Sequence, residues 1–309
     1  MKNFICSLPL ALMAALALSS TAAAQQAYPT PDAAAEALVK ALGTQRADAA
    51  ALATLLGKNW RDYIPLEGVD RADVDAFLVK YRERHAIEAG TGGKSMLSVG
   101  TDAFTFPIPL AKSASGWSFD LKAGAEEIRV RRIGRNELSA AESLRAYHDA
   151  QMDYAESDRD GDGVLEYAQK FFSTDGLHDG LFWAEDDSGE ISPLGPLFGD
   201  ATLGNDWHGY HFLILAAQGP SAPGGKYSYM IGKDMTRGFA AIAWPAKYDD
   251  TGVTSFMISH DGLIFEKDLG PDGAAFATSA ATFDPDDSWK ESDPPFIDAD
   301  DAAPEVAAQ

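Results

Sequence analysis

Cysteine is all but missing from this chain of 309 residues, because Cys6 is the only one and it lies in a segment expected to be removed. The remainder can therefore form no disulfide and no thiolate metal site, and its stability must come from its core. Basic residues are scarce too. The 25 Lys and Arg stand against 47 Asp and Glu, a formal net charge of -22, which repels phosphate backbones and anionic lipid and argues against nucleic acid as a partner. The sequence also lacks a G-x-S-x-G elbow, an H-E-x-x-H pair and an S-x-x-K dyad. No local motif thus sets up a hydrolytic nucleophile or a zinc-bound water.

What is there begins with a leader. Lys2 supplies a positive start, Phe4–Leu18 an apolar run too short to span a bilayer comfortably, and Ala22, Ala23 and Ala24 an Ala-x-Ala site. Residues 1–24 are expected to be a signal peptide cut before Gln25, leaving a periplasmic or secreted chain with no stable membrane insertion. Cys6 precedes most of the apolar run, so it cannot be a lipidated first residue of the mature chain. A hydrophobic content of 46% is that of a packed globular protein.

Periodicity divides the rest. Thr30 and Pro31 begin a helix in which Ala35, Leu38, Val39 and Leu42 recur on one face up to Gly43. A second helix is expected from Arg46 to Gly57, and a third is capped by Asp70, with Val74, Phe77, Leu78 and Tyr81 as its stripe. Strand-like patterns follow at 96–99, 104–110 and 117–121. Residues 25–123 read as an N-terminal α+β unit. From Gly124 a long helix, with a break expected at Gly134, carries Leu138, Ala141, Leu144, Tyr147, Gln151 and Tyr154 on one face. Short strands then follow to about 267, so residues 124–283 read as a long helix packed on an antiparallel meander. From Asp284 to Gln309 nine acidic residues face Lys290 alone, with Pro294, Pro295 and Pro304. That composition predicts a disordered acidic tail.

The runs RRIGRNEL (Arg131–Leu138), SPLGPL (Ser192–Leu197), GPSAPGG (Gly219–Gly225) and GFAAIAWPAKY (Gly238–Tyr248) together resemble the exported bacterial family known as domain of unknown function 2950. The resemblance covers nearly the whole mature chain and implies no activity. The pattern of the first unit is similar to nuclear-transport-factor-2 or cystatin-like scaffolds. The second resembles pilin-like and pseudopilin folds through LRAYHDAQMDYA (Leu144–Ala155) and the hairpin-like Trp244–Phe265, but without a prepilin site or an apolar stem before the helix. Fold likeness of this kind does not give function.

Asp158, Asp160, Asp162 and Gly163 match the D-x-D-x-D-G opening of a calcium loop, in which alternate carboxylates converge on one hard cation. Val164 would offer its carbonyl, Leu165 would pack inward, and Glu166 would reach the ion directly or through water. Both flanks are expected to be helical. The twelfth position departs from the motif, with Gln169 where a bidentate Glu belongs, which implies weak binding suited to calcium outside the cell unless another carboxylate completes the shell. The alternative is an Asp-rich turn whose side chains cap backbone amides and hold no metal.

Other clusters carry less. Arg129, Arg131, Arg132 and Arg135 are expected to pair with carboxylates rather than bind an anion. His208 and His211 are spaced like zinc ligands, yet on a strand they would face opposite ways. His148 has no nucleophile near it in sequence. Glu88–Ser95, EAGTGGKS, resembles a phosphate loop but follows a helix and precedes a strand, the reverse of that motif. The expectation is a non-catalytic envelope protein, with calcium as the one implied cofactor, that binds an envelope protein or small ligand through the loops 192–197 and 219–225. The alternatives are a periplasmic enzyme with a carboxylate and histidine site where the units meet, and an accessory subunit of a secretion or pilus-like assembly.

Overall fold

Capping chemistry places the first helices. The Thr30 hydroxyl accepts from Ala33 N at the start of α1 (Pro31–Leu42), and Asp48 accepts from Ala50 N and Ala51 N at the start of α2 (Ala49–Leu56). Asp70 and Asp73 form a reciprocal capping box on α3 (Arg71–Glu83). The computed structural model describes residues 25–65, 69–185, 189–195 and 206–292. The signal peptide, Cys6, Pro196, Leu197 and the tail beyond Ser292 lie outside the described residues.

The protein is α+β. The chain divides into two compact units, Met1–Ile128 and Arg129–Gln309. In the first, β1 (His85–Ala89), β2 (Ser95–Val99), β3 (Phe104–Thr105), β4 (Leu110–Ser113) and β5 (Gly116–Phe119) form an antiparallel sheet in the order β1-β2-β4-β5, with β3 also on β2. Leu38, Leu55, Leu56 and Trp60 pack with Leu97, Leu110 and Phe119 in its core. The EAGTGGKS run is the turn of the β1–β2 hairpin, with a short 3-10 turn at Thr91–Gly93. It therefore follows a strand, not a helix, but it leads into a second strand and still offers no helix N-terminus to a phosphate.

The long helix, α4 (Leu121–Tyr154), is unbroken at Gly134, where nothing crowds the missing side chain. The unit boundary falls within it. In the second unit β6 (Tyr210–Leu215), β7 (Ala217–Gln218), β8 (Tyr227–Ser228), β9 (Met230–Ile231), β10 (Asp234–Met235), β11 (Ala240–Pro245), β12 (Thr254–Ser259), β13 (Ile264–Asp268), α5 (Gly273–Ser279) and β14 (Lys290–Glu291) follow. The main sheet is an antiparallel meander, β14-β13-β12-β11-β6, with β7–β8 and β9–β10 as two small ribbons. Residues 227–231 are split between the two ribbons, and around residue 182 the chain forms only a bridge between Phe172 and Phe182. Every residue of β11 is buried, which suits a central strand covered on both faces. Among the described residues no helix is long and apolar enough to cross a membrane.

Ala141, Leu144, Tyr147, Gln151 and Tyr154 of α4 are buried as the periodicity requires, whereas Leu138 is exposed. Gln151 is the unusual member. Its amide is wholly buried, donating to Tyr147 Oη at 3.1 Å and Ala168 O at 2.8 Å while accepting from Ala168 N at 2.8 Å. Tyr147 Oη in turn donates to Ala240 O at 3.1 Å, fixing α4 against β11.

The expected acidic tail needs correction at its start. Asp284 Oδ1 accepts from Ser221 N at 2.8 Å, Trp289 is buried, and β14 pairs with β13. Acidic composition did not preclude order there, because Phe283 and Trp289 supply apolar anchors to the core.

Replacing Gln151 by Ala leaves the Ala168 amide and carbonyl without their partner and takes the donor from Tyr147 Oη, which keeps only Ala240 O. The expected loss is about 2–4 kcal/mol in urea unfolding, and a loss under about 0.5 kcal/mol would show the buried network to be dispensable.

Candidate metal centre

The acidic loop leaves the C-terminus of α4, where helix carbonyls lack partners. Arg159 supplies them. Its Nε donates to Tyr154 O and its Nη2 to Asp153 O, both at 3.2 Å, and its side chain, only 9% exposed, lies near the Tyr154 and Trp183 rings. The arginine between Asp158 and Asp160 thus turns inward and fixes the loop while its neighbours face solvent. Sequence reasoning passed over it, although a basic residue just beyond a helix end is a capping signal.

Asp158 organises the turn. Its Oδ1 accepts from Gly161 N at 2.9 Å and Asp162 N at 3.1 Å, and its Oδ2 from Gly163 N at 2.9 Å. Asp160 Oδ1 accepts from Asp162 N at 3.3 Å, and Asp162 Oδ1 from Val164 N at 2.9 Å. Gly161 and Gly163 have φ of +77° and +89°, which a glycine reaches without strain. Carboxylate oxygens of Asp158, Asp160 and Asp162 all lie within 4.8 Å of one another. Amide capping and convergence coexist, because an ionised carboxylate has about four acceptor sites.

The flank beyond the loop is irregular, not helical, which corrects the expectation drawn from the motif. It is held by pairing instead of helix formation. Tyr167 N donates to Met235 O at 2.8 Å, Met235 N to Glu166 Oε2 at 2.9 Å, and Gln169 Nε2 to Lys233 O at 2.8 Å. Gln169 therefore clamps the neighbouring turn instead of acting as the twelfth ligand, and Leu165 is exposed instead of packed inward.

This pairing delivers two residues that the linear motif does not contain. Asp234 joins Asp162 and Glu166 in a second converging group, and its Oδ1 is buried with no hydrogen-bond partner. Lys233 Nζ lies 2.5 Å from Asp162 Oδ2 and 3.7 Å from Asp234 Oδ1. The lysine contact holds the Asp162 carboxyl below its usual range, with the Val164 amide assisting, and Asp162 raises Lys233 in return. Glu166 moves the other way. Burial raises it against the Met235 amide, and Asp160, Asp234 and Asp162 add repulsion.

The remaining expected sites are arranged differently. Arg129 pairs with Asp249 at 2.6 Å and Arg132 with Asp250, so these two basic residues face carboxylates as expected. His208 sits in the Trp207–Tyr210 turn with φ of +49°, while His211 lies on β6 beside the Trp244 ring. His148 Nε2 is 3.3 Å from His260 O, a packing role. Ser192 and Leu194 are buried, and the Gly219–Gly225 turn is held from within by Gln218, whose Nε2 donates to Pro223 O and Gly225 O. An open groove of about 560 Å³ beside that turn is lined by Ser221, Pro285, Asp286, Asp287 and Ser288. Ser288 donates to Asp286 and accepts from Lys267 Nζ at 2.6 Å. The Ser288 hydroxyl and amide hydrogen bonds hold Asp286 below its usual range, so it is a poor base for the serine.

Fold and site together define an α+β protein that presents an acidic, lysine-bridged loop at the end of a long helix. Residues 25–292 match the model of the family described as protein of unknown function (DUF2950), and the chain belongs to that family. No curated protein and no solved structure matches it.

The Glu166 shift has a defined sign. A carboxyl raised in the folded state contributes stability below its unfolded value, about pH 4.3, and loses it as pH rises through the folded value. Glu166→Gln keeps an acceptor for Met235 N but does not ionise. In EDTA its stability should fall less than that of the parent above about pH 4.3, and superimposed urea-unfolding profiles from pH 4 to 7 would contradict this.

Proposed function

We propose that this chain is an exported, non-catalytic binding protein of the cell envelope whose acidic loop holds a structural calcium ion. The buried Asp234 Oδ1, which accepts no hydrogen bond and has Lys233 Nζ 3.7 Å away, carries the metal assignment, beside converging Asp162 and Glu166 whose charge that one lysine only partly offsets. The donor set fits a hard cation, since it is made of carboxylate oxygens with a backbone carbonyl at Val164. Asp158, Asp160, Asp162, Val164 and Glu166 would hold the ion, with Asp234 as the ligand the motif lacks. Bound there, calcium would supply the positive charge that Lys233 now gives alone.

The leader at residues 1–24 supports export, into a compartment where a weak site still fills. Binding is assigned to the ordered loops, the Gly219–Gly225 turn foremost, because a buried glutamine and Asp284 fix its shape beside an open groove. An envelope protein or a small ligand is the expected partner.

Thermal melting of the mature chain in EDTA, magnesium and calcium tests the metal. About 10 mM calcium should raise the midpoint by about 2–5 °C, magnesium should not, and the Asp160→Ala, Asp162→Ala double variant should lose the response. Equal midpoints in all three buffers would remove calcium from the account.

A further inference from the structure

The first residues after the expected cleavage site are built into the first unit. Helix α2 ends at Leu56, so the carbonyls of its last turn need outside donors. Gly57 N serves Ala53 O at 3.0 Å, Gln26 N serves Thr54 O at 3.0 Å, and Gln25 Nε2 serves Leu55 O at 3.0 Å. The same Gln25 Nε2 donates to Phe119 O on β5 at 2.7 Å. Two residues on, Tyr28 and Trp117 exchange both backbone bonds at 2.7 Å. Gly116 lies so close to this strand that an added Cβ would sit 2.4 Å from Tyr28 O. The Gln25 amide nitrogen thus ties α2 to β5, and Leu55 and Phe119, whose carbonyls it serves, are each 1% exposed.

An amino-terminal glutamine has a reaction of its own. Its α-amine can attack its own Cδ, forming a C–N bond and breaking the bond from Cδ to Nε2. The amine gives up a proton, ammonia leaves, and an uncharged five-membered lactam, pyroglutamate, remains. In this protein the departing nitrogen is the atom that holds Leu55 O and Phe119 O. Cyclisation would also remove the α-ammonium charge beside the carbonyl end of α2, where a cation is favoured.

We infer that Gln25 is an amide lock on the mature N-terminus, and that folding of the first unit and cyclisation of Gln25 to pyroglutamate oppose one another. The inference rests on the export reading in one respect, since only cleavage before Gln25 frees its α-amine. Folded protein keeps the open glutamine, while chains that linger unfolded after export become cyclised and lose the cap on α2.

The test uses the full mature chain, released with Gln25 first by a site-specific protease. Ammonia loss is followed by intact-mass spectrometry at one pH and temperature, in buffer and in urea. Two hydrogen bonds, each worth about a fivefold change in population, predict native cyclisation at least about tenfold slower than unfolded. Gly116→Val, which displaces the Tyr28 strand without touching a Gln25 partner, should bring the rate in buffer toward that in urea. If that variant does not fold, a second measurement decides. Chains cyclised while unfolded and then refolded should melt below the open chain. Equal rates in buffer and urea, or equal melting of the two forms, would overturn the lock. N-terminal sequencing of the exported protein tests the export reading separately, because a different first residue would refute that cleavage while the rate ratio on the defined chain stands.

Discussion

The wholly buried amide of Gln151 sets the geometry of the second unit. It answers both backbone groups of Ala168 and the hydroxyl of Tyr147, which in turn reaches Ala240 on the central strand. One side chain therefore registers the helix against the sheet and against the chain that returns after the acidic loop. A buried amide left without partners is costly, so this network admits few alternative arrangements. The loop between Tyr154 and Ala168 is consequently fixed at both ends, by Arg159 on entry and Gln151 on exit.

Within that frame, electrostatics shapes the loop. Asp158 spends its hydrogen-bonding capacity on the turn itself, while Asp162 looks outward to Lys233. The lysine is a tethered cation on a flexible stem, 73% exposed, and its pairing with Asp162 is worth little in water. Asp234 and Glu166 are less exposed and less well compensated. The uneven treatment of four neighbouring carboxylates marks the region as a candidate cation site.

The basic stretch of the long helix serves a related purpose. Arg129 and Arg132 meet Asp249 and Asp250, Asn136 donates to Thr251 O at 2.9 Å, and Glu137 accepts from Val253 N and Thr254 N at 2.9 Å each. Successive turns of α4 thus grip the β11–β12 connection. Gly209 and Gly252 permit this closeness, since side chains there would collide with Asn136 and Tyr210.

The sequence alone determined the helices capped by Thr30 and Asp70 and the short one between them, the long helix with its apolar face, the antiparallel strands after each helical stretch, and the aspartate spacing of the loop. Each is a local matter, decided by residues within a few positions of one another. Tertiary structure alone decided that Gln169 clamps Lys233, that Asp234 joins Asp162 and Glu166, that Gln25 caps α2, and that Lys290–Glu291 add a strand to the sheet. Those outcomes depend on partners far apart in the chain, as Gln25 shows with Leu55 and Phe119, 30 and 94 residues away. Spacing carries no information about such partners, because an unpaired amide or carboxylate looks the same in sequence until the fold brings its complement within hydrogen-bond reach.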